Sequence, residues 1–342
     1  MKKRKAVRII GRTLLVLFST VLMVALAVTG VVYVILRGPS VSAQELLTRS
    51  LKETSAIGFI PDLFLSQERI EEIMGDKEVI IETEEVDTSL VTISAVKREP
   101  GTENTGPGAE ENEDNDGIEF VEVKGASFRG IMMVVHDPTR VFVGTPDAFG
   151  NRGLTLEEMI EKYDAIGGIN AGGFYDPNGS GMGGIPDGIV ISDGVMTWGN
   201  AGTMSSVIGF DGEGILHVGY MSGQEAMNQD LKWACSFGPT LIVNGEALSN
   251  SNITSSGVNP RTAIGQRADG AVLLLVIDGR QVTALGATLE DVISVMLENG
   301  AVNAANLDGG SSSQMIYNDE VLNINSSVKG SRPLPTTFLV RR

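Results

Sequence analysis

The longest apolar run of the chain covers residues 13–36, which are uncharged and lie between Arg12 and Arg37. As an α-helix this run is about 36 Å long, enough to cross a hydrocarbon layer of about 30 Å. Lysines and arginines, and no acids, fill the preceding segment, and such positive flanks stay cytoplasmic. The pattern predicts a cytoplasmic tail at 1–12, a transmembrane anchor at 13–36 and an extracellular remainder in a single-pass protein.

A cleaved signal peptide is the alternative interpretation of the same run. Residues 41–43, Val-Ser-Ala, have the small-residue character of a peptidase site. Against this, an ordinary signal peptide has an apolar region of about 7 to 15 residues, and this run is longer. We therefore expect an uncleaved anchor.

Weaker patterns follow the anchor. Residues 44–75 have apolar positions at helical spacing, interrupted by a glycine and a proline, which predicts two short amphipathic helices in a membrane-proximal stalk at 37–97. Residues 98–117 are acidic and rich in Gly and Pro, which predicts a disordered linker. The folded domain is expected at 118–342, a size that one domain can have.

Short apolar runs separated by glycine turns fill the domain and predict strands at 118–125, 130–138, 188–198 and 271–279. The third run contains Asp193-Gly194, a strong hairpin signal. A Thr N-cap opens each of two helical segments, 155–163 and 288–300. Many strands with a few packing helices predict an α+β fold with mixed, mostly antiparallel sheets.

Charge and composition exclude several classes of function. Without residues 1–37 the chain has 19 basic and 43 acidic residues, a net charge of −24, so it is a poor general binder of nucleic acid. Cys235 is the single cysteine, so no intrachain disulfide can form. His136 and His217 are the two histidines and have no metal-ligand spacing, which argues against a zinc hydrolase or a Ser-His-Asp triad.

His217 is expected within a strand. No cofactor is indicated with certainty by any motif. A divalent cation, Ca²⁺ or Mg²⁺, held by aspartates stays open because these ions prefer oxygen ligands. An anionic substrate would need local arginines to hold it against the negative charge of the chain.

The first candidate site is the segment that follows the apolar run 301–307. Asp308 ends this run, Gly309 and Gly310 follow, and Ser311–Ser313 come next. Glycines let the backbone approach a ligand closely, and the serines offer hydroxyl and N–H donors. The alternative is a plain turn in which the aspartate bonds to its own backbone.

A second candidate begins at Asn170, which ends another apolar run. Gly172-Gly173 and Phe174-Tyr175-Asp176 follow, and a glycine-rich loop ends at Pro186-Asp187-Gly188. Glycine loops can hold phosphate through backbone N–H groups, and an aromatic pair beside an acid is common in sugar sites. The alternative is a long mobile hairpin.

A third candidate joins two apolar runs. Arg261 and Thr262 begin one run, and Asp278-Gly279-Arg280 closes the next. The planar fork of an arginine suits a phosphate or carboxylate. Equally, Arg261 can brace Asp278 or Asp308 in a structural ion pair.

Taken in order, these segments resemble the phosphodiester glycosidase family from about residue 165 to 342. The resemblance rests on "INAGGFYD", "IPDG", "FGPTLIVNG", "NPRTAIG", "VIDGR", "LGATLEDVISVMLENGAVNAANLDGGSSSQM" and "SRPLPTTFLV". The family includes the lysosomal "uncovering" enzyme, which removes N-acetylglucosamine from a sugar phosphodiester. The anchor, short helices and acidic linker resemble those of Gram-positive membrane-anchored members, many described only as exopolysaccharide-related.

One position departs from the family pattern, which reads Asp-Gly-Gly-Gly-Ser. Ser311 replaces the third glycine and adds a Cβ where a ligand would pass. This difference leaves open whether the substrate matches that of the lysosomal enzyme.

The resemblance implies a hydrolase that cleaves the glycosidic C–O bond of a sugar-1-phosphodiester of the N-acetylglucosamine-1-phosphate type, in cell-surface polysaccharide metabolism. Phosphate is a good leaving group, so the site needs a carboxylate and donors for phosphate rather than a strong acid. Asp308 is the first candidate for the carboxylate, with Asp176, Asp187 and Asp278 behind it. The expected substrate-binding residues are Asn170, Gly173, Phe174, Arg261, Thr262, Arg280, Gly309, Gly310, Ser311, Ser312 and Ser313.

The expected partners are a carbohydrate or sugar-phosphate polymer and, through the N-terminal helix, the cell membrane. The main alternative is a non-catalytic polysaccharide-binding or exopolysaccharide assembly protein on the same fold. A protease-like or peptidoglycan-acting protein is a third class, but no nucleophile–base pair in the sequence supports it.

Overall fold

The computed structural model describes residues 2–54, 57–75, 85–93, 117–176, 182–249, 251–254, 256–281, 283–327 and 330–342. The chain divides into two compact units, Met1–Asp76 and Lys77–Arg342. Of the expected acidic linker, residues 98–116 lie outside the described residues.

The first unit is helical. It contains α1 Lys2–Arg37, α2 Val41–Lys52 and α3 Gln67–Met74. Within α1, Ile10–Arg37 is long and apolar enough to cross a membrane, a property that a signal sequence near the N-terminus shares. The two short helices predicted after the anchor are confirmed, and a serine side chain caps the start of each.

The second unit is built mainly from strands. The strands are β1 Ile118–Lys124, β2 Arg129–Val135, β3 Val141–Gly144, β4 Ala165–Asn170, β5 Val190–Ser192, β6 Val195–Trp198, β7 Met204–Phe210, β8 Leu216–Ser222, β9 Trp233–Ser236, β10 Thr240–Val243, β11 Glu246–Ala247, β12 Arg261–Arg267, β13 Val272–Ile277, β14 Ala301–Leu307, β15 Met315–Tyr317, β16 Glu320–Val321 and β17 Thr337–Arg341. The helices are α4 Leu156–Tyr163, α5 Gly223–Asn228, α6 Ser251–Thr254 and α7 Leu289–Glu298.

Three antiparallel sheets make up this unit. Their strand orders are β1-β2-β13-β12-β14-β10-β11, β16-β15-β4-β17-β3 and β6-β5-β9-β7-β8. Their inner faces share one core, to which Phe210, Ile264 and Phe338 each contribute from a different sheet. The predicted α+β fold with mostly antiparallel sheets is confirmed.

Helices cover the outer faces of the sheets. Helix α7 packs on the seven-stranded sheet, which is why β13 is apolar at every position. Helix α4 covers the second sheet and α5 covers the third. Both predicted N-caps, Thr155 and Thr288, form complete capping boxes.

The predicted hairpin at Asp193-Gly194 is confirmed, since both residues have positive φ angles and join β5 to β6. His217 lies in β8, as expected. Residues 85–93, assigned to the stalk from the sequence, belong to the second unit, where Thr92 N–H donates to the carbonyl of Ala268.

The registers of three neighbouring strands set the position of the candidate site. Strand β12 runs antiparallel to both β13 and β14, with Arg261 opposite Ile277 and Thr262 opposite Leu307. The start of β12 therefore lies beside the ends of β13 and β14. Asp278 and Asp308 follow those two ends, so the topology places both acids on the same side of the sheet, where these central strands end.

Candidate active site

Asp308 is the titratable group at the centre of the candidate site. Its backbone N–H donates to the carbonyl of Ala171 at 2.9 Å. This hydrogen bond joins the end of β14 to the end of β4. Burial is the largest influence on the carboxyl group and raises its pKa to about 6. The negative charge of Asp187 adds to this rise, while the charge of Arg332 and the N–H of Gly309 oppose it.

Asn170 holds this arrangement together from within the core. Its side chain is fully buried and donates to the backbone carbonyl of Asp308. Its Oδ1 accepts from Thr262 Oγ1 and from the backbone N–H of Gln314, both at 3.0 Å. One amide therefore ties β4, β12 and both sides of the serine loop, which we define as residues 308–313. In this position Asn170 and Thr262 orient the loop, and the predicted contact of Asn170 with substrate stays a prediction.

Asp187 lies at the site beside Gly173, whose missing side chain leaves room for the carboxylate. Its backbone N–H donates to the carbonyl of Gly173, whose own N–H donates to Ser236. A Cβ added at Gly173 would lie 2.7 Å from the carboxylate of Asp187 and 2.6 Å from the ring of Phe237. Only glycine fits between these groups. Burial raises the pKa of Asp187 as well, so two carboxyl groups with raised pKa values face the same site.

Arg332 is the charged site residue that sequence reasoning missed. Its guanidinium donates to Asp176 Oδ2 at 2.8 Å and to Ser311 Oγ at 3.0 Å, and it lies over the ring of Phe174 at 5.0 Å. Its charge lowers the pKa of Asp308. The signal available in the sequence was "SRPLP", an arginine in a proline-stiffened segment.

The other two arginines of the sequence prediction have different surroundings. Arg261 donates from Nε and Nη2 to the backbone carbonyls of Ala287 and Gly257. Arg280 donates to Asn259 Oδ1, and its guanidinium lies 3.1 Å from a Cβ built on Gly310. Thus Arg280 borders the serine loop, whereas these bonds of Arg261 are to backbone.

Asp278 supports the serine loop from one side. Its Oδ1 accepts from the N–H of Ile324 at 2.9 Å and from Asn323 Nδ2 at 3.3 Å. Asn323 also donates to the carbonyl of Ser313 and accepts from the N–H of Met315. Burial raises the pKa of Asp278, although these bonds and the charge of Arg129 oppose the rise.

The serine loop combines tight backbone packing with unsatisfied hydroxyls. Gly310 has a φ of +63° and donates its N–H to the carbonyl of Pro260, which a Cβ on Gly309 would approach to 2.8 Å. Ser312 and Ser313 are each 2% exposed, and their hydroxyls have no hydrogen-bond partner among the described residues. The Ser312 hydroxyl lies near enough to Asp308 to lower its pKa without reaching bonding geometry. Such buried donors are free to bond a ligand.

The structure thus brings together most of the predicted residues: Asp308, Asp187, Asp176, Asp278, Asn170, Gly173, Phe174, Thr262, Arg280, Gly309, Gly310 and the three serines. The structure adds three residues to the candidate site: Phe237, Asn323 and Arg332. Within the described ranges, no three His, Cys, Asp or Glu side chains form a group that would hold a metal ion.

Comparisons with known proteins identify the family of the chain. The family model described as NAGPA, phosphodiester glycosidase, matches residues 163–341. This match covers more than half of the chain and includes all the site residues named above. The chain therefore belongs to the phosphodiester glycosidase family.

Curated relatives are similar to part of the chain. The SPbeta prophage-derived uncharacterized protein YomE of Bacillus subtilis is 32% identical over 197 residues, which are 55% of this chain and 29% of that protein. The N-acetylglucosamine-1-phosphodiester alpha-N-acetylglucosaminidases of Mus musculus and Homo sapiens are 25% and 26% identical, over 57% and 53% of this chain. The chain spans 41% and 38% of those two enzymes.

A solved structure supports the fold. The zebrafish N-acetylglucosamine-1-phosphodiester alpha-N-acetylglucosaminidase catalytic domain, described as auto-inhibited by its pro-peptide, matches with a TM-score of 0.55 and 23% identity. The match covers 66% of this chain and 82% of the zebrafish chain. At this identity the likeness extends to the fold.

Proposed function

We propose that the second unit is a hydrolase that cleaves the glycosidic C–O bond of a sugar-1-phosphodiester. The observation that carries the proposal is Asp308, a carboxyl group whose pKa burial raises to about 6 and which interacts with the charges of both Asp187 and Arg332. Family membership supports the reaction class, since two curated relatives are named as N-acetylglucosamine-1-phosphodiester glycosidases.

In the proposed reaction, Asp308 acts as the general base. Water attacks the anomeric carbon and gives its proton to the Asp308 carboxylate, while the C–O bond breaks and its electron pair leaves with the phosphate monoester. A base with a pKa near 6 is mostly deprotonated at neutral pH and still accepts a proton readily. The carboxylate of Asp187 stabilises the positive charge that develops on the sugar ring.

The leaving phosphate needs positive charge and N–H donors. Arg332 supplies a guanidinium fork beside Asp308, and its bonds to Asp176 and Ser311 keep the fork oriented. The unsatisfied hydroxyls of Ser312 and Ser313 add donors. Because a phosphate monoester leaves readily, the mechanism needs no histidine acid, in agreement with a site made of aspartates and arginines.

The location of the protein is part of the proposal. The apolar stretch Ile10–Arg37 and the basic residues before it support a membrane anchor with a cytoplasmic N-terminus. The catalytic unit then lies outside the cell, where sugar-phosphate polymers of the surface are the proposed substrates.

The direct test is release of reducing sugar from UDP-N-acetylglucosamine and from an aryl α-glucosaminyl phosphate by the purified full chain. We expect turnover that is lost in Asp308→Asn. Asp211→Asn is a matched control, because it also changes a half-buried aspartate to its amide but lies in a turn after β7. Saturable binding without sugar release would reject the enzyme and favour a polysaccharide-binding protein.

A further inference from the structure

The first unit carries an apolar surface beside the end of its long helix. Helix α2 packs against the last turns of α1, since Gln44 Nε2 donates to the carbonyl of Leu36 and Leu36 is fully buried. The turn that follows α2 reaches the same helix, because the rings of Tyr33 and Phe64 are in edge-to-face contact with centroids 6.2 Å apart. The segment 57–64 is thus attached to the C-terminal end of α1.

The exposed side chains of this segment are large and apolar. Ile57, Phe59 and Leu63 are 40%, 59% and 68% exposed. The single acid of the segment, Asp62, pairs with Lys52 Nζ at 2.8 Å, so its charge is balanced within the unit. Exposed apolar residues grouped in this way mark an interaction surface.

The depth of this surface follows from the helix geometry. Tyr33 lies about nine residues from the middle of the apolar run 13–36, or roughly 13 Å along the helix axis. Half the thickness of a hydrocarbon layer is about 15 Å, so Tyr33 lies near the boundary with the headgroups. Phe64 contacts Tyr33, which puts the segment 57–64 at a similar depth. Aromatic side chains favour this boundary layer.

We propose that residues 57–64 form an interfacial wedge, with Ile57, Phe59 and Leu63 inserted among the lipid headgroups on the outer face of the membrane. The inference rests on the proposed anchoring of α1 and is independent of the catalytic proposal. A second contact with the bilayer would fix the tilt of the first unit, which a single helix leaves free to rotate.

Single-cysteine labelling of the full chain tests the wedge. Burial raises the pKa of Cys235 to about 12, so this thiol stays protonated and covered while an introduced cysteine reacts with a maleimide. We would label Phe59→Cys and Leu63→Cys with an environment-sensitive fluorophore in vesicles of phosphatidylethanolamine and phosphatidylglycerol. Lipids with a spin label near the headgroup serve as the quencher.

Two further positions make the result decisive. Leu22→Cys, in the middle of α1, reports whether the helix is inserted, and Glu68→Cys, exposed on α3, is the control within the same unit. We expect the fluorophores at 59 and 63 to shift to shorter wavelength and to be quenched at least about twofold more strongly than the one at 68. If the label at 22 reports an inserted helix but the labels at 59 and 63 show the same emission and quenching as the label at 68, the wedge is overturned and the anchor stands. A water-exposed label at 22 would overturn the anchor and the wedge together and leave the catalytic proposal standing.

Discussion

Asp211 and Asp308 are both half-buried aspartates of the second unit, but their pKa values are shifted in opposite directions. At Asp211, burial tends to raise the pKa, yet the imidazole of His217 at 2.9 Å and the N–H groups of Ile215 and Glu213 outweigh it and lower the pKa. At Asp308, burial prevails and raises the pKa to about 6.

Under the proposed mechanism, this difference distinguishes an aspartate that stabilises the fold, Asp211, from one that takes part in the reaction, Asp308. The Asp211 carboxylate bonds two backbone N–H groups and the His217 imidazole, and these bonds favour its charged form in the turn between β7 and β8. At Asp308 the Ser312 hydroxyl, the N–H of Gly309 and the charge of Arg332 lower the pKa too little to offset burial, and the charge of Asp187 raises it further. Burial of the charged form costs stability, and the raised pKa brings the group closer to neutral pH, where it can accept a proton.

The strongest test of this difference is turnover in the two amide variants. Asp308→Asn should lower kcat by about 10²- to 10⁴-fold, because the amide cannot accept the proton from water. Asp211→Asn should retain nearly the wild-type kcat, measured as release of reducing sugar under the same conditions. Near-normal turnover of Asp308→Asn would remove Asp308 from the base role.

The same two variants should change stability in opposite directions. At pH 7, Asp308→Asn should raise the free energy of unfolding on the order of 1–2 kcal/mol, since it removes a poorly solvated charge. Asp211→Asn should lower it on the order of 1–3 kcal/mol by weakening the His217 pair. Urea unfolding measures both, and equal signs for the two variants would contradict the comparison.

The pH dependence of these effects follows from the directions of the pKa shifts. The pKa of Asp308 is raised from 3.8 to about 6 on folding, so its cost to stability is absent at low pH and grows as pH rises through this window. The pKa of Asp211 is lowered, so its contribution is present above 3.8 and is lost as pH falls through the folded pKa. The gain from Asp308→Asn should therefore disappear below about pH 4.

Arg332 and Arg261 give a second contrast, between a guanidinium beside Asp308 and one bonded to backbone carbonyls. Arg332→Lys should raise KM for a phosphodiester about tenfold, because a lysine cannot bond Asp176 and Ser311 as a fork. Arg261→Lys should mainly lower the unfolding free energy. The reverse order of KM effects would return the phosphate role to Arg261, as the sequence predicted.

The smallest expected effect is the shift in pH dependence that results from the interaction between the two carboxylates, separate from any change in kcat itself. The charge of Asp187 raises the pKa of Asp308, so Asp187→Asn should move the acidic limb of the kcat profile to lower pH. The shift should be less than about one unit, since burial is the larger cause. A limb that stays in place would show that the two groups are not coupled during turnover.

Local patterns predicted the local features of this molecule. Thr155, Thr288 and the Asp193-Gly194 turn were identifiable because each depends on residues a few positions apart. The meeting of Asn170 with Asp308 was expected only through the ordered family motifs, which carry information on topology. Strand periodicity alone does not say which ends of strands meet.

Contacts that depend on tertiary packing could not be read from the chain. Arg332 reaches the site because Leu334 pairs with Leu154 and the side chain of Ser331 bonds to Glu157 at the start of α4. Arg261 looked equally suitable, but the carbonyls that engage it belong to segments whose positions no local pattern specifies. The sequence gives the chemical type of a charged side chain, but only the tertiary structure determines which group it pairs with.

The buried amide of Asn170 has a consequence for how the protein loses activity. Because its bonds join segments more than 90 residues apart, the catalytic geometry cannot survive once any of the joined strands detaches. Partly opened forms should therefore be inert, and inactivation in denaturant should coincide with global unfolding rather than precede it. Under the proposed function, activity would then be lost in a single step, with no partly folded form that still turns over substrate.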